Sequence, residues 1–303
     1  MAGVEPIEQT NLGIPDRIAR FRVVEKLGDD AFGTVYAAED DDRTPVRLRV
    51  LPESVHLDPA RRAQVIEDAK AAMQVEHPGL ATVLDVGEGA QGLFIATTTA
   101  PRRTLRAYVE QRGKLDLAEA LRLGNEIASA MAAAHQQGVV HGALADDRVM
   151  VADDGRATIV DLGLVELTRP AAHRPIDART DVYAIAAMLH EMITGTRVST
   201  NEMSSDPPER LPRLDASRPG IPATLVDLIE RSTASDPAQR PADADRLLAG
   251  LTAIDLPSDP IGQQMADARA DVQSATSPMW IVGASIAIAM VITLALVLVI
   301  SGG

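Results

Sequence analysis

Residues 139–163 read VVHGALADDRVMVADDGRATIVDLG. Short apolar runs separated by Gly and Asp predict a series of short strands in this stretch. A helical pattern, LAEALRLGNEIASAMAAAHQQG, precedes it at residues 117–138, and a second, TDVYAIAAMLHEMITG, follows it at residues 180–195. Nearer the start, residues 21–50 alternate in the manner of strands. Strands in front and helices behind predict an α+β protein.

Composition excludes several classes of function. A chain of 303 residues, 46% of them hydrophobic, is long enough to bury a proper core. Its formal net charge of −14 argues against a nucleic-acid partner, because phosphate backbones need clustered Lys and Arg. The sequence contains no cysteine, which excludes disulfides, thiol nucleophiles and cysteine-based zinc sites.

An uncharged apolar stretch, MWIVGASIAIAMVITLALVLVI, occupies residues 279–300. About 20 apolar residues cross the hydrocarbon layer of a bilayer, so we predict a transmembrane helix at residues 279–301. Trp280 stands where an interfacial aromatic residue belongs. Gly283 and Ala287 lie four residues apart, a spacing of small residues that lets membrane helices pack closely, and a homodimer is left open.

The rest of the chain divides into three parts by composition. Residues 1–19 form an N-terminal lead with early charges and no apolar core, so they do not predict a secretory signal. Residues 20–254 carry the strand and helix patterns. Residues 255–278 are rich in Pro, Asp, Ser and Gln and predict a juxtamembrane linker. We therefore expect a cell-membrane protein with a single C-terminal anchor and a cytoplasmic folded domain.

Seven segments resemble, in the same order, the motifs of bacterial Ser/Thr protein kinases of the Hanks type. They are LGDDAFGTVYAAED (27–40), VRLRVL (46–51), EHPGLATVLDVGE (76–88), VVHGALADDRVMV (139–151), ATIVDLG (157–163), RTDVYAIAAMLHEMITGTR (179–197) and SDPAQRP (235–241). The resemblance covers residues 20–250. It implies a bilobal protein-kinase-like fold with a β-rich N-lobe and a helical C-lobe.

The glycine-rich segment departs from its family pattern. In protein kinases the three glycines of G-x-G-x-x-G let the backbone close over the ATP phosphates. This chain keeps Gly28 and Gly33, with Val35 following, but Asp30 replaces the middle glycine. A carboxylate repels phosphate, and a β-hairpin that needs turn residues explains the segment as well as nucleotide binding does.

The next strand carries Arg47 and Arg49. Residues two apart on a strand share a face, so both guanidiniums should point into the cleft. The resemblance puts Arg49 at the position of the Lys that holds the α- and β-phosphates, and Arg47 at an Ala that lines the adenine pocket. We expect Arg49 either to meet a phosphate or to pair with Asp68 or Glu67 on the following helix, and Arg47 to fill adenine space.

The catalytic loop also departs from the pattern H-R-D-x-x-x-x-N, in which the Asp accepts the substrate hydroxyl proton and the Asn binds magnesium. The resemblance aligns Ala143 with that Asp, Arg148 with that Asn, and Ala145 with the Lys that steadies the γ-phosphate. We therefore expect no catalytic residue at the proton-acceptor position. Asp146 and Asp147 are the nearby carboxylates that remain as substitutes.

Asp161 of the DLG sequence is the one metal ligand that the resemblance retains, although a turn or capping role explains an Asp there equally well. The segment from Asp161 to Asp181 contains no A-P-E motif, the substrate platform of active relatives. Arg240 pairs with the Glu of that motif in the family, so we expect that it does not make that pair here. The resemblance gives His141 and Asp181 a structural role, tying the catalytic loop to the central helix.

These departures favour a catalytically impaired protein-kinase-like protein, a membrane-anchored signalling scaffold or regulator in cell-envelope control. It resembles the pseudokinase domain attached to some bacterial peptidoglycan-lipid flippases, which implies a phosphothreonine-binding forkhead-associated protein and an upstream Ser/Thr kinase as partners. We expect no cofactor, or weak ATP binding without magnesium. Two alternatives stay open: an atypical active Ser/Thr protein kinase, and a non-catalytic nucleotide-binding switch.

Overall fold

Six antiparallel strands form the front sheet in the order β1-β2-β3-β4-β6-β5. The computed structural model describes residues 14–164, 176–198, 211–217 and 220–255. The strands of this sheet are β1 (Arg17–Ile18), β2 (Phe21–Asp30), β3 (Gly33–Glu39), β4 (Pro45–Val50), β5 (Val83–Gly89) and β6 (Gly92–Thr98). Helices α1 (Glu53–His56) and α2 (Pro59–Ala72) connect β4 to β5. Asp58 begins α2, where its side chain accepts two backbone N–H groups.

Strand β4 separates apolar and charged side chains by its period of two. Val46, Leu48 and Val50 are buried in a small core that includes Phe21 and Phe94. The intervening arginines lie on the opposite face. The sheet is thus anchored on one side by apolar packing and presents charge on the other.

The β2–β3 hairpin ends in a tight turn in which Asp30 pairs with Gly33. Gly33 has φ +112°, and a Cβ atom there would lie 2.0 Å from the carbonyl oxygen of Val50. No side chain fits that space, so the positive φ and the close approach of β4 together require a glycine at this position. A Cβ at Gly28 would meet nothing within 4 Å, so local packing does not require that glycine.

The helical part follows the front sheet. Its described helices are α3 (Leu105–Arg112), α4 (Leu117–Gln136), α5 (Ala178–Thr194), α6 (Leu214–Ser217), α7 (Ala223–Ser232) and α8 (Ala244–Thr252), with a 3-10 turn at Pro237–Gln239. Helix α5 lies at the centre, with 13 of its 17 residues buried. A capping box at Asp177 begins it, and Gly195 in the left-handed conformation ends it.

A second sheet of two short strands, β7 (Val149–Val151) and β8 (Ala157–Ile159), lies between the two parts. Ile159 also forms a parallel bridge with Leu80, which leads into β5. This bridge fixes the loop after β8 close to the front sheet, and so it positions the residues that begin at Asp161.

The order of strands and helices confirms the predicted α+β class. Within the described ranges, no helix is long and apolar enough to cross a membrane. The predicted transmembrane helix at 279–301, with Trp280, Gly283 and Ala287, lies outside those ranges, as do most of the predicted linker and residues 1–13 of the predicted lead.

Candidate functional site in the interlobe cleft

Asp161 lies at the floor of the cleft, two residues after β8. Its backbone has φ +66°, a left-handed conformation that few residues other than Gly, Asn and Asp adopt readily. Gly163 follows with φ +86°, and a Cβ there would lie 3.1 Å from the Cα of Ala69 in α2. The DLG turn is therefore pressed against the backbone of α2, which fixes the direction of the Asp161 side chain.

Three guanidinium groups surround the Asp161 carboxylate. Arg47 Nη1 donates to Oδ1 at 2.5 Å and Arg49 Nε donates to the same oxygen at 3.0 Å. Arg49 Nη2 and Arg148 Nη1 donate to Oδ2 at 2.7 and 2.9 Å. The Asp161 side chain is only 2% exposed. Burial opposes its charge, but the three cations hold the pKa of Asp161 far below its ordinary value.

Arg47 and Arg49 both reach this carboxylate, as their period-two spacing on β4 predicts. Burial opposes the charge of Arg49, whose side chain is 3% exposed, but Asp161 and Asp30 hold the pKa of Arg49 above its ordinary value. We expected Arg49 either to meet a phosphate or to pair with Asp68 or Glu67, and its hydrogen bonds go to Asp161 and Asp30. Asp68 instead accepts a hydrogen bond from Gln64 at 2.8 Å.

Asp30 closes the cluster from the hairpin turn. Its Oδ1 and Oδ2 accept from Arg49 Nη1 and Nη2 at 2.7 and 3.1 Å, and Oδ2 also accepts from Arg148 Nη1 at 2.6 Å. Phe32, on the same turn, lies under the Arg148 guanidinium at 4.5 Å. Partial burial opposes the charge, but the arginines hold the pKa of Asp30 below its ordinary value. We call Asp30, Arg47, Arg49, Arg148 and Asp161 the cleft cluster.

The catalytic-loop segment is held from below by Asp181 of α5. The backbone N–H groups of His141 and Gly142 donate to its two carboxylate oxygens at 2.9 and 2.8 Å. The His135 ring contacts the same carboxylate at 3.0 Å, and the His141 ring contacts the carbonyl of Val160 at 3.0 Å. His141 and Asp181 thus tie the loop to the central helix, the geometry that their predicted structural role requires.

Comparison with known proteins shows to which family this chain belongs. The sequence profile of the family described as "Protein tyrosine and serine/threonine kinase" matches residues 21–173, just over half of the chain. The chain belongs to the protein kinase family.

Curated bacterial relatives match most of this kinase chain. "Probable serine/threonine-protein kinase PknB" of Lactococcus lactis subsp. lactis is 26% identical over 260 residues, covering 77% of this chain and 41% of that protein. "Serine/threonine-protein kinase pkn3" of Myxococcus xanthus is 27% identical and covers 78% of this chain and 50% of that protein. The chain thus spans half or less of the length of these relatives.

Solved structures share the fold. The PknI kinase domain of Mycobacterium tuberculosis superposes with a TM-score of 0.66 at 25% sequence identity, covering 78% of this chain and 96% of that domain. The predicted bilobal protein-kinase fold is therefore confirmed. The matches support the bacterial Ser/Thr kinase family without distinguishing a flippase-associated branch within it.

These relatives correct the expected function. The sequence favoured a catalytically impaired scaffold, whereas the proteins that match over most of the chain are named serine/threonine-protein kinases. That expectation is wrong on this comparison, and the alternative of an atypical active Ser/Thr protein kinase fits better. The substitutions at the motif positions remain, and any activity of this chain has to be explained with them in place.

The loop around Ala143 shows which carboxylates are near the proton-acceptor position. Asp146 is buried and receives both Nε and Nη2 of Arg106, at 2.9 and 2.7 Å. Asp147 is 42% exposed and lies 3.7 Å from Arg148 Nε and 3.6 Å from Arg106 Nη2. Asp146 is thus committed to one ion pair, whereas Asp147 is the more accessible of the two.

Magnesium does not fit the cleft in this arrangement. Protein kinases hold it with the Asp of the DFG motif and the Asn of the catalytic loop. Here both oxygens of Asp161 already accept from guanidiniums, and the Asn position carries the cation Arg148. In the described ranges, no group of three or more His, Cys, Asp or Glu residues is placed to hold a metal ion.

The remaining space in the cleft is small. A cavity of about 10 Å³, close to the room that a single water molecule needs, is lined mainly by Arg47, Arg49, Ile95, Thr97 and Asp161. Pockets for cofactor-sized ligands start at about 300 Å³. The predicted contact residue Val35 is buried in β3 opposite Arg49. A nucleotide therefore needs the cleft cluster to open.

Arg240 is buried directly after the 3-10 turn at Pro237–Gln239. Its Nε donates to the carbonyl of Ala234 at 2.8 Å and its Nη1 to that of Arg179 at 3.2 Å. Its guanidinium also lies over the Tyr183 ring at 4.8 Å. These contacts join the end of the chain's helical part to α5. Residues 165–175, most of the segment from Asp161 to Asp181 without the A-P-E motif, lie outside the described ranges.

Sequence reasoning identified Asp30 and Arg148 as two separate departures and missed that they are partners. They are 118 residues apart, yet Arg148 Nη1 lies 2.6 Å from Asp30 Oδ2. The sequence did contain a signal: the glycine-rich segment gains the acidic Asp30, and the catalytic loop gains the basic Arg148. Substitutions of opposite sign at two motifs that share a cleft indicate a compensating pair.

Proposed function

We propose that this chain is an atypical serine/threonine-protein kinase in which guanidinium groups, rather than a Lys and magnesium, neutralise phosphate charge. The observation that carries the proposal is the direct contact of Arg49 with Asp161, two motif positions that serve the nucleotide in the family. Its support from comparison is that relatives covering most of the chain are named serine/threonine-protein kinases.

The chemistry of phosphoryl transfer makes such a kinase physically reasonable. The transition state is loose, so catalysis consists mainly of positioning and of electrostatic stabilisation. A single arginine finger contributes about 10³–10⁵ in rate in related reactions. The position of the general base is Ala143, and loss of such a base costs about 10²–10⁴. We therefore expect a slow enzyme.

The test is phosphate transfer from radiolabelled ATP to a general Ser/Thr acceptor such as casein, using the full chain. We expect slow transfer that Asp161→Asn abolishes, because the Asp161 carboxylate positions the three guanidiniums that would neutralise the phosphate. Asp154→Asn is the matched control, since Asp154 is exposed and bonds Arg156 away from the cleft. Transfer that is equal in both variants, or none in the unaltered chain, would overturn the proposal.

A gain-of-function variant makes the same test sharper. Ala143→Asp restores a carboxylate at the proton-acceptor position, and general-base assistance predicts a rate increase of about 10²–10⁴. Ala145→Asp is the control, because it adds the same charge to the loop two residues away. An equal response of the two variants would show that position 143 has no special role in proton transfer.

A nucleotide-binding switch without transfer is the second candidate. The small cavity favours it, because entry of a nucleotide must separate Asp30 from its arginines. Thermal-shift titrations with ATP distinguish the two candidates. Stabilisation by ATP without any Asp161-dependent transfer supports the switch, since ligand stabilisation grows with concentration over Kd.

Membrane attachment through residues 279–300 is part of the proposal, supported by their uncharged apolar sequence. Ile288→Arg places a cation near the middle of this stretch and opposes insertion by about 2.5–3.5 kcal/mol. We expect it to release protein from the membrane fraction, whereas Ile288→Ala does not. Equal fractionation of both variants would contradict the proposed attachment.

A further inference from the structure

The turn of the β2–β3 hairpin occupies a site with the geometry of a phosphate-binding fork. Arg49 presents two N–H groups to the two oxygens of Asp30, at 2.7 and 3.1 Å. Arg148 adds a third N–H at 2.6 Å. Arginine recognises carboxylate and phosphate by this same two-point geometry. The Asp30 carboxylate therefore stands where an anionic oxygen of a ligand would be bound equally well.

The net charge of the cleft cluster supports the same conclusion. Three arginines face two aspartates, so the cluster carries a net charge of +1, and without Asp30 it would carry +2. Asp161 is buried and rigidly bound, with 2% of its side chain exposed. Asp30 is 32% exposed and lies at the end of a two-stranded hairpin. Of the two anions, Asp30 is the one that can leave.

Phe32 strengthens the same contact from the turn. Its ring lies against the Arg148 guanidinium, and its backbone N–H donates to Asp30 Oδ1 at 2.8 Å. Asp30 and Phe32 thus both hold the Arg148 guanidinium in place. Movement of the hairpin turn would release both contacts at once and expose Arg49 and Arg148 to an incoming ligand.

We infer that Arg49 and Arg148 form a metal-independent polyphosphate site, and that Asp30 is an internal ligand which a polyphosphate must displace. The inference rests on the proposed function, since it concerns how phosphate enters that cleft. It adds a specific gate, the Asp30 carboxylate, and predicts that anion binding does not need magnesium. Because guanidiniums supply the positive charge, chelation of metal should leave binding intact.

The test compares binding of pyrophosphate to the full chain with and without the Asp30 carboxylate, by isothermal titration calorimetry in EDTA. Asp30→Asn keeps the size of the side chain and removes its charge. We expect pyrophosphate to bind this variant about 10–100-fold more tightly than the unaltered chain, the range given by one or two charge-assisted hydrogen bonds.

Asp29→Asn is the matched control. Asp29 lies on the same turn, but it accepts from Thr34 at 2.6 Å and pairs with Lys26 at 2.6 Å, outside the cleft cluster. Its loss should leave pyrophosphate affinity unchanged. An equal gain in both variants would reduce the effect to overall charge and overturn the inference.

Further arms identify the binding residues and the ligand chemistry. In the Asp30→Asn background, Arg148→Gln should reverse the gain in pyrophosphate affinity, and a gain that persists would contradict the site. ATP should gain affinity as pyrophosphate does, whereas adenosine should gain none. Binding that appears only with magnesium would also overturn the inference. These readouts need no phosphate transfer, so failure of the proposed kinase activity is scored separately.

Discussion

Asp161 and Asp181 are buried aspartates that lie on either side of the catalytic loop, yet their carboxylates meet opposite kinds of partner. Asp161 is bound by three guanidiniums from β4 and the catalytic loop. Asp181 is bound by two backbone N–H groups and one imidazole. The first is an electrostatic centre, whereas the second is a backbone clamp.

The difference shows how one fold keeps its shape while its cleft changes. The clamp acts on main-chain groups, which every sequence supplies, so it is insensitive to the substitutions at Ala143 and Arg148. The electrostatic centre depends on side chains, and here each new cation has an anion beside it. The loop geometry of a kinase is retained above a cleft whose charges are rearranged.

The largest effect should come from breaking the electrostatic centre. Asp161→Asn keeps the side-chain size and tolerates the left-handed backbone, but it removes the carboxylate charge that Arg47, Arg49 and Arg148 share. Removing one partner of a buried ion pair costs about 3–5 kcal/mol. We expect a loss of that size in the free energy of unfolding by urea denaturation.

The double variant Asp161→Asn with Arg47→Met provides the control for this prediction. If charge repulsion causes the loss, removal of one guanidinium should return part of the stability, and the two changes should not be additive. Strictly additive losses would show that the Asp161 carboxylate contributes by packing rather than by charge.

A smaller effect is expected from the clamp. In Asp181→Asn one oxygen still accepts a backbone N–H, but the amide nitrogen faces the other N–H as donor against donor. A buried N–H left without an acceptor costs about 1–3 kcal/mol. Asp177→Asn is the control, because Asn caps a helix as well as Asp does. If Asp181→Asn lowers the free energy of unfolding no more than Asp177→Asn does, the backbone clamp does not stabilise the fold in this way.

The smallest effect is the response to acid. The folded pKa of Asp161 is held below its unfolded value of about 3.9, so its stabilisation is present above that pH and is lost as the pH falls. This group alone should remove about 1 kcal/mol between pH 7 and pH 3. Urea unfolding at both pH values should show a shallower pH dependence in Asp161→Asn. An equal change in the free energy of unfolding between pH 7 and pH 3 in both proteins would contradict this prediction.

Much of the fold could be predicted because its signals are local. The period of two on β4 put Arg47 and Arg49 on one face, and the order of the motifs gave the two lobes. The loop role of His141 and Asp181 followed from the resemblance, and the structure places both where that role needs them. The ion-pair partner of Arg49 could not be predicted from local periodicity or motif order. The choice between Asp68 and a cleft carboxylate depends on distances across the fold.

The sequence by itself determined the strand-then-helix order, the family motifs and the positions at which chemical groups were exchanged. Only the tertiary structure decided that Asp30, Arg148 and Asp161 meet, because these residues are brought together by the closing of two lobes around a cleft. Periodicity and motif spacing act over a few residues, whereas an ion pair depends on where distant segments of the chain come to lie. The charges that looked like independent losses in the sequence are, in the folded protein, one network of ion pairs.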